Sequence, residues 1–310
     1  MWNTRLLSRL TLGLTLTLVA VGGFTRGSGS GYGCKDRWPL CDNGLVGGFL
    51  PRFEYHMIIE WTHRWVAALV GVLALATAVS VWRAYRHNRV VLVSAIGAVV
   101  VIAVQAWVGR MVVKGDLNAD LVSVHLGISM TVVALLTVVV VGTSSAPARS
   151  SARSWTALLV VGGVGNFVLL MLGSYVHNRY VSGWPLVNNE LFPDLSNRYL
   201  LVHYLHRLLA GSGIVYFAFM IRAVYKRKRP QDERLLILAA ASAYGVNVVL
   251  GAAHVFTKVS SSVLVATHLL MAALVWSFLV AAVAVASGRV NDIALTTTLV
   301  VPRERTHAVN

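Results

Sequence analysis

Glu60-Trp61-Thr62-His63-Arg64 opens a long apolar run, and His203-Tyr204-Leu205-His206-Arg207 opens another. His206 stands 143 residues after His63, and His268 stands 143 residues after His125. Two histidine pairs at one offset read as a duplicated unit, each unit holding two histidines able to face one another. The arginine fixes the register. His63-Arg64 matches His206-Arg207, so His203 takes the place of Glu60.

Around these motifs the chain of 310 residues is 56% hydrophobic and only 13% charged, unlike an ordinary soluble enzyme. Crossing a bilayer takes about 20 apolar residues. Hydropathy and length mark eight such stretches: 5–24, 57–82, 90–112, 120–142, 154–176, 199–225, 233–256 and 262–286. They are too long for barrel strands and do not alternate strictly, which leaves helices. The expected fold is an all-α integral membrane protein whose eight transmembrane helices form two tandem four-helix bundles. Each unit has an even number of spans, so the copies share orientation and a pseudo-twofold axis runs along the membrane normal. Residues 1–142 make the N-terminal half, 143–153 a cytoplasmic linker, 154–287 the C-terminal half and 288–310 a cytoplasmic tail without an assigned role.

The net charge of +15 invites a nucleic-acid reading, but its distribution argues against one. Arg5, Arg9, Arg83, Arg86, Arg89, Arg149, Arg153, the cluster Arg222 to Arg234, Arg289, Arg303 and Arg305 all fall on one side of the spans. The positive-inside rule puts that side, and both termini, in the cytoplasm of a multi-pass cell-membrane protein. The base excess then serves orientation and the lipid bilayer, with no nucleic-acid partner.

Residues 1–24 have the make-up of a signal peptide, yet the duplication requires a helix here to match 154–176, so span one is expected to stay. The outward loops 25–56 and 177–198 both contain Trp-Pro-Leu, at 38–40 and 184–186. Cys34 and Cys41, the two cysteines of the chain, flank the first copy. An oxidising outer face permits a disulfide there, and two unpaired thiols are the alternative. The tryptophans read as interface anchors or, with the cysteines, as part of a lid.

His63, His125, His206 and His268 each lie a short way into a helix entering from the outer side, which places the imidazoles at one depth. One membrane histidine can simply bond a neighbouring helix. Four at matched depth point to function, because burying ionisable groups in a bilayer is costly. Bis-histidine haem ligation takes one imidazole from each of two facing helices, pairing His63 with His125 and His206 with His268. Gln105 and Gly109 are mirrored by Asn247 and Gly251. Such small residues read as helix packing, or as room for a flat macrocycle. Arg64 and Arg207 suit haem propionates, or else anchor helix ends. Glu60 matters most, since a half kept for electron transfer needs no carboxylate. It marks the N-terminal half as the site of chemistry, unless it only bonds Arg64 one turn on. His56, His87, His177, His254 and His307 carry no assigned role.

With these residues in hand, the chain resembles the haem A synthase family, the bacterial relatives of mitochondrial Cox15. The resemblance covers residues 1–288 and rests on eight spans in two halves, Glu-x-x-His-Arg at 60–64, His125, His206 and His268. Cys34 and Cys41 around Trp38-Pro39-Leu40 resemble the Gram-positive type, although Lys35 and Arg37 make this loop more basic than the usual form.

The resemblance implies an oxidoreductase that converts the C8 methyl group of haem O into the formyl group of haem A in two successive hydroxylations, for cytochrome oxidase. It implies substrate haem between His63 and His125, a haem b cofactor between His206 and His268, and Glu60 as base or charge stabiliser. It also implies a Cys34–Cys41 disulfide open to redox exchange. Haem O synthase is the expected partner, beside an electron acceptor of unknown identity, and a homo-oligomer is allowed. The alternatives are a di-haem b-type cytochrome that passes electrons, for instance from quinol, and a transporter of parallel repeats, which this chain's unbroken spans do not favour.

Overall fold

A computed structural model describes residues 3–144, 151–176 and 180–288. It contains eight long helices: α1 Thr4–Gly27, α2 Tyr55–Tyr85, α3 Arg89–Lys114, α4 Ala119–Gly142, α5 Arg153–Val176, α6 Arg198–Lys226, α7 Gln231–Phe256 and α8 Ser262–Ser287. All eight are long and apolar enough to cross a membrane, and no strand occurs among the described residues. Pro147, Arg149, His177, Arg289, Arg303, Arg305 and His307 lie outside the described residues, as do most of the linker and the tail.

Local chemistry sets the helix ends. Asn3, Asn88, Asn118, Asn197 and Ser261 cap α1, α3, α4, α6 and α8 through side chains that accept from backbone N–H groups of the first turn. The helices run slightly beyond the apolar stretches, α2 reaching Tyr85 and α6 reaching Lys226. Their terminal Arg, Tyr and Lys side chains have apolar stems that extend a helix into the interface. The α3–α4 and α7–α8 connections use the same device, a pair of left-handed residues, Asp116-Leu117 and Lys258-Val259. Beyond each helix, N–H groups bond back to its last carbonyls, Leu117 to Val112 and Val259 to His254.

In the first half, α1 packs on α2, α2 on α3, α3 on α4 and α4 back on α1. In the second, α5, α6, α7 and α8 close the same kind of ring. Among the described residues, no Cα of α2 comes within 8 Å of one on α4, nor one of α6 within 8 Å of α8. Each histidine-bearing helix thus stands diagonally across its ring from the other. The rings meet where α1 and α4 touch α8 and α4 touches α5, around Val19, Met130, Val133, Leu170, Ala272 and Ala273. Trp276 Nε1 on α8 donates to the Met130 carbonyl on α4 at 2.8 Å.

α1 is part of this packing. It buries Thr4, Ser8, Thr11 and Thr15 along one face, and Thr11 shares a hydroxyl bond of 2.8 Å with Thr77 of α2. Val72, Val93, Val161, Val215 and Val249 are exposed around the outside, an apolar girdle that suits lipid and would promote association in water.

Candidate functional site

His63 is the ninth residue of α2 and His206 the ninth of α6; His125 is the seventh of α4 and His268 the seventh of α8. At 1.5 Å per residue the two depths differ by only about 3 Å. Each imidazole lies against a glycine of the preceding helix. An added Cβ would stand 3.2 Å from His63 at Gly22, 3.1 Å from His125 at Gly109, 3.0 Å from His206 at Gly173 and 3.3 Å from His268 at Gly251. The absent side chain lets each ring press back on its neighbour's backbone, pointing it across the ring of helices. Gly109 and Gly251 therefore make room for an imidazole rather than serving helix packing alone.

His63 and His125 lie within electrostatic reach of one another, and the Nδ1 atom of each is buried without a hydrogen-bond partner. Such orphaned atoms are rare in a finished core. His206 differs, because its Nδ1 lies 3.2 Å from the Leu169 carbonyl of α5. That bond makes Nδ1 the donor and leaves the Nε2 lone pair free, the usual arrangement behind a metal-bound imidazole. His268 is met edge-on by His254, with ring centroids 5.2 Å apart. No repeat in the chain marks His254 for that place, since the first half has no counterpart of it.

Glu60 is 3% exposed. One carboxylate oxygen accepts from the Cys34 amide at 2.6 Å, and the other pairs with Arg64 at 2.5 Å. The weaker of the two readings of Glu60, a bond to Arg64, is thus present, and it joins a larger assembly. Arg64 also donates to the carbonyls of Arg37, Pro39 and Leu40. Those carbonyls belong to the loop closed by the Cys34–Cys41 disulfide, whose sulfurs are buried over Met57. Arg207 does the same for the second loop, donating to Val181, Ser182, Gly183 and Leu186. Both guanidinium groups are thereby engaged by loop carbonyls. Tyr32 donates to Asp36 at 2.9 Å, and that bond raises its pKa. His56, expected in the loop, sits in the first turn of α2 and bonds Ser30 at 2.9 Å.

The profile of the COX15-CtaA family, described as cytochrome oxidase assembly protein, matches residues 5–280. The chain belongs to this family. It is similar to proteins named heme A synthase: that of Alkalihalophilus pseudofirmus at 28% identity, covering 82% of this chain and 87% of the relative; that of Bacillus licheniformis at 31%, covering 75% and 82%; and that of Erythrobacter litoralis at 28%, covering 91% and 97%.

For a COX15-CtaA chain the donor set has a plain use. Among the described residues no group of three or more His, Cys, Asp or Glu gathers as for a bare metal ion. Imidazoles facing one another from diagonal helices would suit an iron porphyrin, which His63 with His125 and His206 with His268 would hold and which would supply one-electron redox chemistry. The glycine-backed imidazoles on diagonal helices, and the Nδ1 bond of His206 that leaves its Nε2 free, fit that group.

Proposed function

We propose that this chain synthesises haem A, oxidising the C8 methyl group of haem O to a formyl group in two successive hydroxylations. The observation that carries the proposal is the set of four glycine-backed imidazoles on diagonal helices, in a chain whose relatives are named heme A synthase. In this reading His63 and His125 hold the substrate haem, and His206 and His268 hold a haem b. Bound haem b supplies one-electron redox chemistry. The Nδ1 bond from His206 to Leu169 fixes its ring with Nε2 free for the iron.

The halves divide the work because only the first has a carboxylate. Glu60, beside His63 on α2, acts as base or charge stabiliser while the methyl carbon gives up electrons, two per oxidation, to an acceptor outside this chain. Its pairing with Arg64 offsets the burial of its charge, and the Cys34 amide aims it. The disulfide loop roofs this half and exchanges electrons with an outside partner. The haem sites lie toward the outer face, with both termini in the cytoplasm, and haem O synthase delivers the substrate. Residues 1–142 form the catalytic half and 154–287 the haem b half, related by a pseudo-twofold axis.

Haem extracted from purified protein and separated by chromatography tests the proposal. Haem O or haem A alongside haem b is expected. Haem b alone would make the chain an electron-transfer cytochrome, and no haem would leave a transporter.

A further inference from the structure

Arg26 is a cation in the last turn of α1. It sits one turn beyond Gly22, on the face of α1 that backs His63. Its guanidinium reaches across the seam between the halves to α5, where NH1 lies 3.4 Å from the Ser174 hydroxyl and NH2 3.2 Å from the Ser174 carbonyl. Ser174 also accepts from Ser123 of α4 at 3.2 Å. The surroundings are those of the histidines. Ser123 is two residues before His125, and Ser174 follows Gly173, which backs His206.

The carbonyl of Ser174 is one of the last four of α5, and a cation near a helix C-terminus is favoured. That accounts for NH1 and NH2. It does not account for Nε, which is buried with no partner, nor for a half-buried cation with no carboxylate in ion-pair range among the described residues. A desolvated guanidinium calls for an anion. Arg64, the arginine beside His63, already has a carboxylate partner in Glu60 besides its loop carbonyls, and Arg207 gives both terminal nitrogens to loop carbonyls.

We propose that Arg26 binds a propionate carboxylate of the haem held between His63 and His125, at the end of that cleft facing the seam. The assignment rests on the haem reading of the first half. It gives α1, which bears no iron ligand, a part in seating the substrate.

The test uses purified full-length protein titrated with haem b and with its dimethyl ester, followed by the Soret band. The first-half signal is the part missing from His125→Ala. Wild type is expected to prefer the free acid by about tenfold or more, the usual size for a hydrogen bond to a charged group. Arg26→Gln should abolish that preference and Arg26→Lys should restore part of it. Equal binding of acid and ester by wild type would overturn the assignment without any variant. So would Arg26→Gln with the preference intact; if its thermal stability also fell, Arg26 would be a clasp between the halves. A wild type with no His125-dependent signal would contradict the haem reading itself, and the propionate contact with it.

Discussion

Replacing Gly173 by alanine places a methyl group 3.0 Å from the His206 ring, whose Nδ1 is already held by the Leu169 carbonyl one turn before Gly173 on the same helix. The ring must shift or α5 must move, an overpacking worth about 1–3 kcal/mol. The bis-imidazole absorbance of the second half should weaken in Gly173→Ala. It should be untouched in Gly165→Ala, where no atom lies within 4 Å of the new Cβ. Glu60→Gln should keep both haems and lose about 100- to 10,000-fold in haem O conversion, the usual span for general acid–base catalysis; conversion at the normal rate would remove the catalytic role. The four histidines were legible because their constant offset survives between the halves. Gly22 and Gly173 were not, for a definite reason. They stand 151 residues apart rather than 143, because the outer loop between Gly22 and His63 is longer than its counterpart. Arg26 was hidden too, as its partner Ser174 is nearby only once the halves are packed.

The outer loops and the helices they sit on behave as units. Arg64 joins a buried carboxylate to three loop carbonyls, whereas Arg207 holds carbonyls alone. Removing one partner of a buried pair costs about 3–5 kcal/mol, and losing hydrogen bonds to carbonyls costs about 1–3 kcal/mol. Arg64→Ala should therefore lower the thermal unfolding temperature more than Arg207→Ala; the reverse order would contradict this division of roles. Cys34→Ala opens the loop that aims Glu60, and activity in cells should fall. Full activity would leave the bridge merely structural. The spans themselves were legible because a bilayer demands a minimum apolar length. The clamp was not, since a sequence gives an arginine beside a histidine but not the carbonyls that fold back onto it. At the opposite end of the bundle from the histidines, Glu233 of α7, 1% exposed, bonds Trp155 at 2.7 Å and pairs with Arg229. Its Ser151 bond ties the residues before α5 to α7, which no spacing in the sequence announced.

Across the whole molecule, two closed rings of four helices meet at a seam where α1 and α4 touch α8 and α4 touches α5. α8 is the most buried of the eight spans. The diagonal separation within each ring follows from simple up-and-down packing of four helices, and it sets the duplicated histidines across from one another as two separate pairs. The asymmetry between halves then resides in a few side chains: Glu60 against His203, the disulfide against a loop without cysteines, and His254 beside His268 alone. The most direct measurement is the haem content of His125→Ala and His268→Ala, extracted and resolved by chromatography. His125→Ala should lose haem O and haem A while keeping haem b, and His268→Ala should lose haem b while keeping haem O. Loss of the same haem from both variants would contradict the assignment of one haem to each half.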